Sequence, residues 1–150
     1  MKRGRKTWTE KLDPGREPKV VELEQDFAGV LAGSRLLVAT PRLVEQYINR
    51  IPKGTSVSPQ TLRKDLASEY QADATCPIST GIFLRIVAEA AYEQYQAGKS
   101  LKEITPFWRV IDEKSPTAKK LTCGLEFIKA QRATEGLAAQ TKLAMAGAIQ

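Results

Sequence analysis

The sequence predicts a mainly α-helical domain with a small β wing, arranged as a winged helix-turn-helix. Three observations lead to this fold class. Apolar residues recur at helical spacing in four segments, two of those segments are separated by a short linker, and a strand-like stretch with a charged loop follows the pair. Periodicity alone also permits a plain helical bundle.

The first two helices are predicted from a cap followed by a periodic apolar stripe. Thr40 is the N-cap of a helix over residues 41–51, with Pro41 at its first position. The apolar face of this helix carries Leu43, Val44, Tyr47, Ile48 and Ile51. Ser58 and Pro59 open the second helix in the same way. Its apolar residues are Leu62, Leu66 and Tyr70, and its outward face carries Arg63 and Lys64.

A third helix is predicted over residues 79–97, and a short segment that holds Cys76 and Pro77 joins it to the second. Its inward residues are Ile82, Phe83, Ile86, Val87, Ala90 and Ala91. Its opposite face carries Arg85, Glu89, Tyr92 and Gln96. Because the second helix of a helix-turn-helix pair enters a DNA groove, we expect the predicted third helix to contact DNA.

The rest of the core completes the predicted winged helix. Residues 108–111 are interpreted as a short strand and residues 112–120 as a polar loop, which together form the wing. Residues 124–135 form the final amphipathic helix. Its apolar face is built on Leu125, Ile128 and the aliphatic part of Arg132.

Composition divides the chain into a basic N-terminal arm (residues 1–19), a domain (residues 20–136) and an Ala-rich tail (residues 137–150). The arm holds seven Lys and Arg residues against three acidic ones, so it contributes +4 of the net charge of +6. Its only large apolar side chains are Trp8 and Leu12, which predicts an extended or docked segment outside the core. Such an arm serves either to bind nucleic acid or to keep the protein in solution.

The chain has 150 residues, of which 42% are hydrophobic, and it can bury the core of one domain. It contains no histidine, which excludes Ser-His-Asp and Cys-His nucleophiles and histidine general bases. Its two cysteines cannot close a zinc site, and we expect them to be reduced thiols. No metal or other cofactor is therefore expected, and the positive charge favours a polyanion as partner.

The sequence predicts a soluble cytoplasmic protein without a membrane partner. Its longest apolar stretches are far shorter than the roughly 20 residues of a transmembrane helix. The basic start of the chain leads into Trp8, Glu10 and Lys11 without the apolar region of a signal peptide.

Four short motifs occur in an order that resembles one protein family. They are IPKGTSV at residues 51–57, FLRIVAEAA at 83–91, ITPFWRV at 104–110 and GLEFIKAQRATEG at 124–136. This series resembles the DNA-binding domain of the alkylguanine-DNA alkyltransferases, in which the corresponding motifs read IPxGxV, RAVGxA, IPCHRV and GLxxKxxLLxxEG. The resemblance implies a winged helix that flips an alkylated guanine out of the duplex and transfers the alkyl group to a cysteine.

Two positions depart from the family motif. Phe107 stands where the family has its acceptor cysteine, and Trp108 stands where it has the activating histidine. Alkyl transfer needs a thiolate activated by a neighbouring base, so transfer through this motif is excluded. The resemblance is therefore closest to the alkyltransferase-like proteins, which lack the acceptor cysteine, bind alkylated DNA and pass the lesion to other repair proteins.

The resemblance also implies roles for individual residues. Arg85 falls on the family's arginine finger, which fills the base stack where a base has been flipped out. The alternative for Arg85 is a helical ion pair with Glu89. Glu135 falls on the glutamate that orients the family's histidine, and without that histidine it is left to pair with Arg109 or Arg132.

Two sets of site residues follow. The predicted DNA contacts are Arg85, Thr80, Arg63, Lys64, Lys119 and Lys120. The predicted remnant of the active-site pocket consists of Phe107, Trp108, Arg109 and Glu135. On a winged helix the wing lysines contact phosphates, and the simpler alternative is a solvated surface. For Phe107 and Trp108 the alternatives are an aromatic pair in the core and a ring that stacks on a base.

These observations predict a non-catalytic protein that binds double-stranded DNA, recognises damaged or alkylated bases and acts with other repair proteins. One alternative is a transferase whose nucleophile has moved to Cys76 or Cys123, although each cysteine also fits a small buried hydrophobe. A second is a winged-helix regulator, or an RNA-binding protein, without lesion preference.

Overall fold

The structure, a computed structural model, describes residues 6–137. In this range four α-helices pack around one core beside a three-stranded sheet. The helices are α1 (Pro41–Asn49), α2 (Pro59–Glu69), α3 (Pro77–Gln96) and α4 (Leu125–Thr134). The strands are β1 (Lys19–Glu22), β2 (Arg35–Val38) and β3 (Ala74–Thr75). Single turns of 3₁₀ helix occur at Glu10–Leu12, Phe107–Arg109 and Ala118–Lys120.

The sheet has the strand order β1-β2-β3 and ties the N-terminal hairpin to the helix pair α2–α3. β1 and β2 are antiparallel, with Lys19 opposite Val38. β2 and β3 are parallel, with Leu37 opposite Thr75. A parallel pair needs a crossover connection, and α1 and α2 provide it. All three strands therefore precede α3, whereas the sequence places its strand after α3.

The prediction of a strand at residues 108–111 is wrong, because Phe107–Arg109 forms a 3₁₀ helix there. The Ile111 amide donates to the Phe107 carbonyl at 2.9 Å, which closes the turn. A turn can bury several consecutive apolar side chains, while a strand sends alternate ones to opposite faces. Residues 112–120 form a loop with one helical turn at its end.

α1, α2 and α4 lie where the sequence places them. Thr40 Oγ1 accepts a hydrogen bond from the Leu43 amide at 3.2 Å. Ser58 Oγ accepts one from the Thr61 amide at 3.1 Å. Both predicted N-caps are therefore confirmed. α3 begins two residues earlier than predicted, because Pro77 takes its first position.

The buried face of α3 differs from the predicted one. Val87 and Ala91 are buried as predicted, but Ile82 is 55% exposed, so its inward placement is wrong. Glu89, predicted on the outer face, is buried and accepts hydrogen bonds from the amide and hydroxyl of Thr122, both at 3.1 Å. The difference arises because α3 packs against α1 and two of the 3₁₀ helices, which widens its buried surface beyond one stripe.

Residues 7–13, here called the strap, cross α1 and α3 and contribute to the core. Leu12 is fully buried, so the expectation that the basic arm stays outside the core is wrong for this residue. Asp13 holds the end of the strap against α1, because its carboxylate accepts two hydrogen bonds from Arg42, at 2.8 and 2.7 Å. The strap is therefore a folded element of the domain.

The Glu93 carboxylate on α3 fixes the other end of the strap. It accepts hydrogen bonds from the Trp8 amide at 3.2 Å and from the amide and hydroxyl of Thr9 at 3.0 and 2.7 Å. Burial raises the pKa of Glu93, but the three hydrogen bonds outweigh it and the pKa is lowered. The charged carboxylate is thus the form that holds the strap.

The ends of the chain lie partly outside the described residues. These are residues 1–5 of the predicted arm and all of the predicted tail at 137–150 except Leu137. Across the described residues 6–137, no helix combines the length and the apolar composition that crossing a membrane requires.

Replacing Leu12 by Ala should lower the free energy of unfolding by about 2 to 5 kcal/mol, because it leaves a cavity where the strap meets the core. Urea unfolding measures the change. Leu31→Ala is the control: Leu31 is 69% exposed, and its loss should change stability by less than about 0.5 kcal/mol. Equal effects of the two substitutions would contradict a docked strap.

Candidate nucleic-acid interface

A groove of about 420 Å³, here called the α3 groove, lies between the first half of α3, the strap and the 3₁₀ helix Ala118–Lys120. Its apolar side chains are Trp8, Ile78, Ile82 and Ile86. Its cationic side chains are Lys11, Arg85 and Lys120. The described residues that line the groove include no carboxylate, so the charged side chains of its lining are all cationic.

Arg85 lies on α3 and lines this groove with 43% of its side chain exposed. Its Cζ lies 5.4 Å from the centroid of the Trp8 ring, a cation–π distance. Its Nε lies 4.0 Å from the Glu89 carboxylate, at the outer limit of an ion pair. Among the described residues, this buried Nε has no hydrogen-bond partner. Arg85 is thus exposed enough to contact DNA, and its ion pair with Glu89 is a long one.

The two predicted wing lysines are exposed on the 3₁₀ helix Ala118–Lys120. Lys120 shares the α3 groove with Arg85. Lys119 is not part of the groove lining, although it is adjacent in sequence. The fold therefore brings together two of the predicted DNA contacts, Arg85 and Lys120, from segments 35 positions apart.

Thr80 is a predicted DNA contact that the structure places in the core. Its side chain is fully buried, and its hydroxyl donates to the Cys76 carbonyl at 2.7 Å. The prediction is therefore wrong for Thr80. Its hydroxyl is already hydrogen-bonded within the first turn of the helix and is shielded from solvent, so it cannot reach a phosphate.

Arg63 and Lys64 lie on α2 and line a second cavity, of about 520 Å³, beside β3. Lys64 is exposed and Arg63 is half-buried. The Thr75 hydroxyl donates to the Arg63 carbonyl at 2.7 Å, which fastens α2 to the sheet. These two cations are thus on the surface, but they do not line the α3 groove.

Phe107 and Trp108 are core residues in this structure. Both are buried, with ring centroids 5.3 Å apart in a T-shaped arrangement. Phe107 also stacks on Phe127 of α4, with centroids 6.1 Å apart. The aromatic-pair alternative is therefore the one seen, and Phe107 fills the position that the family resemblance assigns to an acceptor cysteine.

The Glu135 carboxylate is the centre of a closed hydrogen-bond cluster. It accepts bonds from Trp108 Nε1 at 2.9 Å, from Nε and Nη2 of Arg109 at 2.9 and 3.0 Å, and from the Gly54 amide at 3.1 Å. Arg109 Nη1 donates in turn to the Ile51 carbonyl at 2.8 Å. Of the two predicted arginine partners, Arg109 is thus the one that forms this close pair with Glu135.

This cluster lowers the pKa of Glu135. Burial of the carboxylate acts to raise it, and the hydrogen bonds from Arg109, Trp108 and Gly54, helped by the charge of Arg109, bring it down to about 2. The Glu135 carboxylate is therefore ionised and fully occupied at neutral pH. Trp108, Arg109 and Glu135 thus form a structural cluster, in which the Glu135 carboxylate accepts four hydrogen bonds from the protein itself.

Several residues of this region had no clear signal in the sequence. Arg132 is 2% exposed, and its Nη1 donates to the Trp108 carbonyl at 2.7 Å, so its whole side chain is buried and not only the aliphatic part. Trp8 and Lys11 enter the α3 groove because the strap folds back on α3. The only available indication of this was that Trp8 and Leu12 are large apolar residues in an otherwise polar arm.

Neither cysteine is placed as a nucleophile. Cys76 is 4% exposed, and its Sγ accepts a hydrogen bond from the Ser79 hydroxyl at 3.3 Å. Burial raises the pKa of the Cys123 thiol to about 11, and the nearby Glu89 carboxylate adds to the effect. A raised pKa keeps the Cys123 thiol protonated at neutral pH, which is the unreactive form.

Comparison of the chain with models of protein families, with curated proteins and with solved structures finds no match.

Glu135→Gln should lower stability at pH 7 by about 3 kcal/mol, because Arg109, whose side chain is 15% exposed, loses its counter-charge. The pKa of Glu135 falls on folding, so the carboxylate stabilises the fold above its ordinary pKa of 4.5, and this stabilisation is lost as pH falls toward 2. The difference between wild type and variant should therefore shrink from pH 5 to pH 2 in urea unfolding. Glu126→Gln, in the first turn of α4 and 89% exposed, should show neither effect.

Proposed function

We propose that this protein is a non-catalytic DNA-binding protein of the alkyltransferase-like type, which binds double-stranded DNA through the α3 groove and favours damaged or alkylated bases. The observation that carries the proposal is the composition of that groove. Arg85, Lys11 and Lys120 converge there beside α3, and the described residues that line the groove include no acidic side chain. Convergent cations without acids are the electrostatic footprint of a phosphate-binding surface.

The proposal assigns different tasks to the cations. Arg85 projects from α3, the helix that enters a groove in helix-turn-helix proteins. Lys119 and Lys120 lie on the loop after α3, and Lys64 is exposed on α2, so these lysines suit contacts with the DNA backbone. Backbone contacts fix the position of the protein, and Arg85 is left to sense the state of the base stack.

The proposal includes no catalytic step, because of the residue at the family's acceptor position and the state of the cysteine thiols. Phe107 has no nucleophile, and the Cys123 thiol is protonated because its pKa is raised to about 11. These observations disfavour the alternative transferase. In this proposal the protein marks the lesion for other repair proteins, and it does so in the cytoplasm.

Arg85→Ala should reduce the preference for a duplex that holds one O-alkylguanine over the intact duplex, by about 1 to 3 kcal/mol if the loss resembles a stacking contact. The measurement is the ratio of the two Kd values at one stated salt concentration, because affinity for DNA depends steeply on salt. Lys119→Ala is the matched control, and it should weaken binding to both duplexes alike.

Two results would contradict this proposal in different ways. An Arg85→Ala variant that binds both duplexes more weakly by the same factor would make Arg85 an ordinary phosphate contact, and the protein a DNA-binding regulator without lesion preference. Wild-type protein that binds neither duplex would remove the DNA-binding function itself.

Incubation with DNA that contains O-methylguanine should leave the mass of the protein unchanged, because Phe107 cannot accept a methyl group and Cys123 is protonated. Mass spectrometry of the intact protein after prolonged incubation checks this. A stoichiometric methyl adduct on Cys76 or Cys123 would instead identify a transferase with a relocated nucleophile.

A further inference from the structure

The Trp8 backbone is held in place, and its side chain lines the α3 groove. Glu93 holds the Trp8 and Thr9 amides on one side, and the buried Leu12 anchors the strap on the other. The strap loses its conformational entropy when the protein folds. A ligand that binds against Trp8 therefore does not bear the cost of ordering the strap. Trp8 is therefore a preorganised part of the groove wall.

Two cationic side chains lie near the Trp8 ring. Lys11 Nζ lies 4.1 Å from the ring centroid and Arg85 Cζ lies 5.4 Å from it. The ammonium group of Lys11 sits on a flexible four-carbon stem, so it can leave the ring and donate to a phosphate while an aromatic ligand takes its place. The same site can thus hold a flat ring and a negative charge.

Apolar side chains continue this surface along α3. Ile78 and Ile82 are each 55% exposed and line the groove with Trp8. Gly81 lies between them, and a Cβ built at this glycine would have open space around it. A contact with a phosphate does not need apolar surface, whereas stacking on the face of a nucleobase does need it. The groove volume of about 420 Å³ lies within the range of small-ligand sites.

From this combination we propose that the α3 groove binds DNA at an unstacked base, with Trp8 as the stacking surface and Lys11 and Lys120 as contacts to the flanking phosphates. The inference rests on the proposed DNA-binding function and specifies its substrate class: DNA in which a base is already out of the stack. Single-strand-binding surfaces combine cations with aromatic rings in the same way. The site differs from the position of the acceptor cysteine in the related family, which Phe107 fills here.

Tryptophan fluorescence tests the stacking directly. The chain has two tryptophans, and Trp108 is 3% exposed in the core. A duplex with one bulged adenine should quench the wild-type protein more strongly than the matching intact duplex. Trp8→Phe keeps a ring that can stack, so it should bind the bulged duplex within about threefold of wild type while the quenching disappears.

Affinities measured with Trp8→Ala complete the test. This variant should bind the bulged duplex roughly tenfold more weakly and the intact duplex within about twofold of wild type. Phe27→Ala is the matched control: Phe27 is a 42% exposed aromatic residue outside the groove, and its loss should change neither affinity. Trp8→Phe preserves the ring, so it keeps the test valid if Trp8→Ala loosens the strap.

The outcomes separate this inference from the proposed function. Wild-type protein that binds the intact duplex but shows no preference for the bulged duplex and no quenching would overturn the inference alone. Equal weakening of both duplexes by Trp8→Ala would also overturn it, because Trp8 would then only shape a duplex-binding surface. Failure of the wild-type protein to bind either DNA would overturn both.

Discussion

The Glu135 carboxylate joins three stretches of chain that are distant in sequence: the loop at Gly54, the 3₁₀ helix at Trp108 and Arg109, and the end of α4. Removing a carboxylate from water is costly unless several donors surround it, so these stretches depend on one another for their positions. The segment between α3 and α4, residues 97–124, pairs with none of the described strands, and this ion pair is one of the contacts that hold it in place.

The position of the Phe107–Arg109 turn has consequences for α3. Phe107 and Trp108 pack into the core beside this helix, which leaves the side that carries Ile82 and Arg85 facing solvent. The aromatic side chains that fill the interior therefore also decide which residues α3 exposes. Phe107 therefore supports, from within the core, the surface that we propose to bind DNA.

The parts of the fold that local signals specify could be predicted from the sequence. Thr40 and Ser58 mark the starts of α1 and α2 because a cap and the proline after it act within one turn. Burial that depends on distant partners could not be predicted. Leu12 reaches the core on a strap that Glu93, more than 80 positions away, helps to hold, and the buried Glu89 carboxylate accepts hydrogen bonds from Thr122, 33 positions away. Helical periodicity placed Arg85 on the outward face of α3, and its side chain is 43% exposed, but the groove around it depends on the strap.

The docked strap also determines how this protein can be handled in the laboratory. A truncation at residue 19, where the composition changes, would remove Leu12 and leave an open hole in the core, so a minimal fragment has to begin near residue 6. The chain enters the domain next to Trp8 and Arg85. A dye or fusion partner joined directly to residue 6 would therefore lie close to the α3 groove, where a label reports on binding and a bulky partner obstructs it.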